Sequence, residues 1–116
     1  MKFKPIIIVA GEPNSVFVEI FIKILKKKVF KSPIILICSK KIFFKQSKAL
    51  KVKININEIS KEDLFLKKKL NKLNLINIEY YQNNAFEKIS SKSNKYISKC
   101  FDVGLEIMKS GISNKF

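Results

Sequence analysis

Lys4-Pro5-Ile6-Ile7-Ile8-Val9-Ala10-Gly11-Glu12-Pro13-Asn14-Ser15-Val16-Phe17-Val18-Glu19 decides the fold class. Residues 5–10 are continuously apolar rather than alternating, the pattern of a parallel strand covered on both faces. The run stops at Gly11, and an acid-Pro turn follows. Apolar residues then recur at Phe17, Ile20, Phe21, Ile24 and Leu25, which make one helical stripe. Strand, turn and helix in that order open an α/β domain. Ligands of such domains sit at the carboxyl ends of the strands, so a site is expected at 11–15.

The rest of the chain repeats the alternation. Residues 33–39 form a second continuous apolar strand that ends in polar residues. A short helix is expected over 40–50, with Ile42, Phe43 and Ala49 or Leu50 inward. Val52, Ile54 and Ile56 alternate with polar residues, which predicts a one-sided or edge strand. Ser60 opens a short helix, with Asp63 three residues on and Ile59 and Leu64 placed as a hydrophobic staple. That helix is expected to end at 67–69. Ile76, Ile78 and Tyr80 predict another one-sided strand, and 82–84 a loop.

The last helix carries Ile97, Cys100, Phe101, Gly104, Leu105 and Met108 as its inward stripe. Its expected N-cap is Ser90 or Ser93, and Gly111 sits where a C′ glycine belongs. Gly104 is read as a close-packing position. The expected fold is therefore α/β: a mainly parallel sheet with helices on both faces, in one domain over 1–116. In a strand–helix alternation a strand should follow the last helix, and 112–116 is too short and polar for one. The expectation is the amino-terminal portion of a larger fold.

Composition narrows the function classes. There are no histidines, so nucleophile–His pairs and His-rich metal sites are excluded within these residues. The net charge of +15 raises a nucleic-acid reading, but every basic residue is Lys. Arg is the residue suited to bidentate base and phosphate recognition. The lysines are spread along the chain, and the excess of Lys, Ile, Asn and Phe matches the residue usage of an AT-rich genome. Nucleic-acid binding is expected only as non-specific charge attraction. No apolar run approaches a membrane span and no signal segment opens the chain, so no membrane and a cytoplasmic location are expected. Cys38 and Cys100 are expected as reduced core thiols.

The opening stretch resembles the amino terminus of the PdxA family, the 4-hydroxythreonine-4-phosphate dehydrogenases of pyridoxal phosphate synthesis. In that family the first strand runs into a Gly-Asp/Glu-Pro-Ala-Gly-Ile-Gly-Pro-Glu turn. Gly11, Glu12, Pro13, Val16 and Glu19 fit that pattern, while Asn14, Ser15, Phe17 and Val18 depart from it. The long helix ending at Gly111 is the second match. The resemblance follows the element order through the whole chain, and a related turn occurs in isocitrate and isopropylmalate dehydrogenases, whose fold the family shares.

The resemblance implies NAD-dependent oxidation and decarboxylation of a phosphorylated hydroxy amino acid, assisted by a divalent metal, in a homodimer. The family's metal-binding histidines and phosphate-contacting His-Thr pair fall downstream of these residues. NAD and metal are thus expected with the full-length enzyme and not with this chain alone. The candidate residues of a substrate or cleft loop are Gly11, Glu12, Asn14 and Glu19. Two further readings stand beside this one. One is a non-catalytic basic module for an anionic partner such as nucleic acid. The other is a domain that self-associates through an open sheet edge.

Overall fold

Two stretches of uninterrupted aliphatic residues set the architecture, and in the computed structural model both are strands. The structure describes residues 4–14, 17–27, 31–65, 70–80, 85 and 91–111. In chain order these give β1 (Ile6–Val9), α1 (Phe17–Lys27), β2 (Ile34–Cys38), α2 (Lys40–Ala49), β3 (Asn57–Ile59), α3 (Lys61–Phe65), β4 (Leu73–Asn77) and α4 (Asn94–Lys109). A single 3-10 turn, Ser91–Ser93, leads into α4. The four strands form one wholly parallel sheet in the order β1-β2-β4-β3. The α/β fold with helices on both faces is as expected. Among the described residues, no helix is long and apolar enough to cross a membrane.

Strand alternation divides the core in two. Ile34, Leu36 and Cys38 of β2 point to one face, with Val18, Phe21 and Ile22 of α1 and Phe43 of α2. Ile35 and Ile37 point to the other, with Leu64 of α3 and Tyr96, Cys100, Val103 and Ile107 of α4. Handedness explains why the helices divide so. Parallel crossovers are right-handed. The chain moves one way across the sheet from β1 to β2 to β3, then reverses from β3 to β4. The reversal carries the connecting helix to the opposite face, where Leu64 lies.

Four expectations need correction. Along 52–56 half-buried Val52, Ile54 and Ile56 do alternate with exposed Lys53 and Asn55, but the stretch belongs to no strand, and pairing starts only at Asn57, opposite Asn74. β4 begins at Leu73, so little strand lies opposite the earlier residues. The expected one-sided strand at 76–80 is in fact β4, a central strand buried on both faces through Leu73, Asn74, Leu75 and Ile76. Asn74 hid this, because an asparagine inside a strand reads as a wet position.

The third and fourth corrections are rotations. In α1, Val18, Phe21 and Ile22 face the sheet, while Ile20 and Ile24 are 51% and 42% exposed. In α4, Tyr96, Cys100, Val103, Gly104 and Ile107 face inward, while Phe101 and Leu105 are 43% and 50% exposed. Both helices carry an apolar sector wider than a sheet face can cover, and sequence periodicity does not choose within it. In α2, Ile42 and Phe43 are buried as expected, and so are Gln46 and Ser47, while Ala49 is exposed and Leu50 half-buried.

The end signals at Ser60 and Gly111 hold, whereas Ser93 stands at the N-cap of α4 without a side-chain cap bond. The Ser60 amide donates to Asp63 Oδ2 at 3.1 Å, and the Asp63 amide donates to Ser60 Oγ at 3.1 Å. That is a reciprocal capping box with Asp in the Glu position. Gly111 follows α4 with φ +80°. The expected helix end at 67–69, the loop at 82–84, the alternative cap Ser90 and the tail 112–116 lie outside the described residues.

Candidate functional site

The sheet order itself selects a crevice. α1 and α2, which follow β1 and β2, lie on one face, while α3 and α4, which follow β3 and β4, lie on the other. Neighbouring strands β2 and β4 therefore send their chains to opposite sides. A ligand crevice opens at the carboxyl ends of such a pair. Here those ends are Cys38-Ser39-Lys40 and Asn77-Ile78-Glu79-Tyr80, with the turn after β1 alongside.

The turn is tied down from three directions. Gly11 adopts φ +71°, a left-handed conformation that L side chains resist. An added Cβ would meet nothing within 4 Å, so the demand for glycine is conformational rather than steric. Glu12 Oε1 accepts from the Asn14 amide at 3.1 Å, and Glu12 Oε2 accepts from Ser93 Oγ at 2.8 Å. The Pro13 carbonyl accepts from Gln46 Nε2 at 2.6 Å. The turn thus hangs on α2 through Gln46 and on the start of α4 through Ser93. Ser93 is the N-cap residue of α4 but makes no side-chain cap bond there.

The end of β2 is equally committed. The Ser39 amide donates to the Tyr96 hydroxyl at 2.7 Å, and Ser39 Oγ donates to the Tyr80 carbonyl at 3.3 Å. Ser39 Oγ also accepts from the Ile42 amide, capping α2. The Lys40 amide donates to Asn77 Oδ1 at 2.8 Å, and Asn77 Nδ2 donates to Glu79 Oε1. Lys40 Nζ pairs with Glu58 Oε1 at 2.6 Å. Tyr80 stacks on Tyr96 with ring centres 4.9 Å apart. Two first-turn amides of α2, those of Lys40 and Ile42, are thereby spent on protein acceptors.

What remains is small. A cavity of about 10 Å³ lies among Glu12, Pro13, Ser39, Gln46 and Tyr96. That is room for about one water. Gln46 is fully buried, and its Oε1 takes no donor among the described residues. The buried hydroxyl of Tyr96 and the thiols of Cys38 and Cys100 are held neutral. Burial, with Cys100 and Cys38 nearby, pushes the Tyr96 hydroxyl far above its usual value, against the opposing Ser39 amide. Burial, then Cys100, pushes the Cys38 thiol up strongly. Burial raises Cys100 to about 11, against lowering by Tyr96 and Lys99. Neither thiol is a nucleophile at neutral pH, because only the thiolate attacks.

Of the four residues expected from sequence, Gly11, Glu12 and Asn14 come together at this turn. Glu19 stands apart on α1, paired with Lys23 at 3.6 Å on an exposed helix face. Ser39, Gln46, Asn77, Tyr80 and Tyr96 were not foreseen. Ser39 and Asn77 carry a usable signal, a polar residue at the carboxyl end of an apolar strand. Tyr96 carries none, since only folding brings α4 to β2. The residues around this cavity do not by themselves fit a dinucleotide or a metal. The cavity is far too small for the first, and among the described residues no three His, Cys, Asp or Glu groups gather for the second. No protein-family model and no curated protein matches the chain.

Proposed function

We propose that these residues supply the amino-terminal α/β part of an NAD-dependent dehydrogenase resembling the PdxA family, acting on a phosphorylated hydroxy amino acid. One observation carries the reading: the Gly11-Glu12-Pro13 turn stands at the carboxyl end of β1, with Gly11 left-handed and Glu12 bonded to the start of α4. That is the position at which this fold class builds ligand loops. On this reading Glu12 is a positioning residue. Its two oxygens hold the turn against Asn14 and Ser93, which presents the turn as one wall of a cleft. Cofactor and metal would be held by histidine-bearing parts of the protein outside this sequence, and the protein would work as a cytoplasmic homodimer.

The test uses the product of the whole reading frame. It is supplied with NAD, a divalent metal and 4-hydroxythreonine 4-phosphate, and NADH is followed by absorbance. NADH formation, reduced in Glu12→Ala and largely restored in Glu12→Gln, supports both the activity and the positioning role. A folded product that forms no NADH with this substrate overturns the proposal.

A further inference from the structure

A groove of about 550 Å³ lies between the second half of α2 and the chain that follows it, lined by Phe44, Lys48, Lys51, Val52, Lys53 and Ile54. It shares no residue with the carboxyl-end cluster, and its volume is in the range of ligand sites. Phe44, 41% exposed, and the half-buried Val52 and Ile54 make an apolar floor. Lys48, Lys51 and Lys53 stand exposed around it, and no ion pair engages them among the described residues. From 40 to 57 the sequence has six lysines and no Asp or Glu. The lysines are less evenly mixed with acids here than on α4, which carries Asp102 and Glu106.

Two backbone observations point the same way. The residue after the α2 C-cap is Lys51, with φ +58°, the one non-glycine with positive φ among the described residues. Its amide donates to the Lys48 carbonyl and the Val52 amide to the Ser47 carbonyl, a Schellman motif in which glycine is the usual occupant. A lysine there keeps a cationic side chain on the groove at a conformational cost. Next, residues 52–56 alternate half-buried and exposed, the period of a strand, yet the amides of Lys53, Ile54, Asn55 and Ile56 find no acceptor among the described residues. They lead into β3, an edge strand. Open strand edges of this kind are templates for an added strand.

We infer that residues 52–56 and the groove beside them dock an extended acidic segment of a partner polypeptide. The partner's backbone pairs with alternate amides of 53–56, those that face the open edge, one apolar side chain enters the floor of Phe44, Val52 and Ile54, and its carboxylates face Lys48, Lys51 and Lys53. A single-stranded nucleic acid fits less well. Such grooves offer successive aromatic platforms, and here one ring stands beside aliphatic residues.

The test is fluorescence anisotropy with a labelled peptide of alternating Glu and Val that carries one central Phe. Lys48→Glu with Lys53→Glu is expected to weaken binding about tenfold or more, and the matched pair Lys95→Glu with Lys109→Glu on α4 less than about twofold. Lys51→Gly, which suits the backbone, is expected to fold as well as the parent and to bind about threefold more weakly. Hydrogen exchange of alternate amides within 53–56 should slow when the peptide is bound. Four results overturn the inference: no peptide binding, equal weakening by the α4 pair, undiminished binding after the peptide Phe is replaced by Ser, or tighter binding of oligothymidylate of the same length.

Discussion

Asn74 carries more of the sheet than any sequence rule would assign to an asparagine. It is fully buried, and its Nδ2 donates to the Ile34 carbonyl at 3.1 Å and the Asn71 carbonyl at 2.7 Å. Its Oδ1 accepts from the Asn71 amide at 2.9 Å and from Asn57 Nδ2 at 3.2 Å. One side chain thus closes the turn before β4, touches the start of β2 and reaches across to β3. An asparagine is affordable there because all of its hydrogen-bonding groups are used. Asn74→Leu keeps the volume but strands several buried partners, so a loss of about 3 kcal/mol is expected in urea unfolding. A loss below about 1 kcal/mol would mean that water replaces the side chain at no great penalty.

At the scale of elements, α3 is the least self-sufficient. Its five described residues are too few for an isolated helix to persist in water. Its start is fixed by the Ser60–Asp63 box and by Ile59 and Leu64, both buried in the same cluster. Lys61 Nζ adds a 2.8 Å bridge to Glu106 Oε2, joining α3 to α4 at the surface. Ser60→Ala is expected to lower stability by about 1 kcal/mol, and Asp63→Ala by a similar amount. Because the two side chains act as one reciprocal unit, the double variant should lose less than the sum. Thermal unfolding of the four proteins measures this, and strict additivity would show that the box does not act as a unit. The box was legible in the sequence because capping is local: the donor and acceptor are three residues apart. The rotations of α1 and α4 were not, because they depend on which part of a broad apolar sector meets the sheet.

For the molecule as a whole, the two cores meet at β2, and the two thiols lie one on each side of it. Cys38 packs with the α1 and α2 cluster and Cys100 with the α3 and α4 cluster, both free and buried. Burial raises both, Cys100 from 9.0 to about 11. The folded state therefore keeps its thiol protons at pH values where the unfolded chain releases them. The stability this represents is complete below the unfolded value near 9.0 and is lost as pH climbs toward the folded value of about 11. Tyr96 acts in the same direction at higher pH. The urea midpoint is expected to stay level from neutral pH to about 8 and to fall beyond about 9, less steeply in Cys100→Ala. A midpoint level through that alkaline range would show that the thiols are not protected by the fold. The alternation of strands and helices, the parallel sheet, the caps at Ser60 and Gly111 and the turn at Gly11 were all readable along the chain. Each of these is written in neighbours a few residues apart, through side-chain period, capping chemistry and backbone freedom. The packed fold alone places β4 between β2 and β3, brings Glu12 to Ser93 and Ser39 to Tyr96, and leaves one half each of α1 and α4 exposed. Those outcomes rest on contacts between residues far apart in sequence, and they are settled by crossover handedness and by the area that a sheet face can cover.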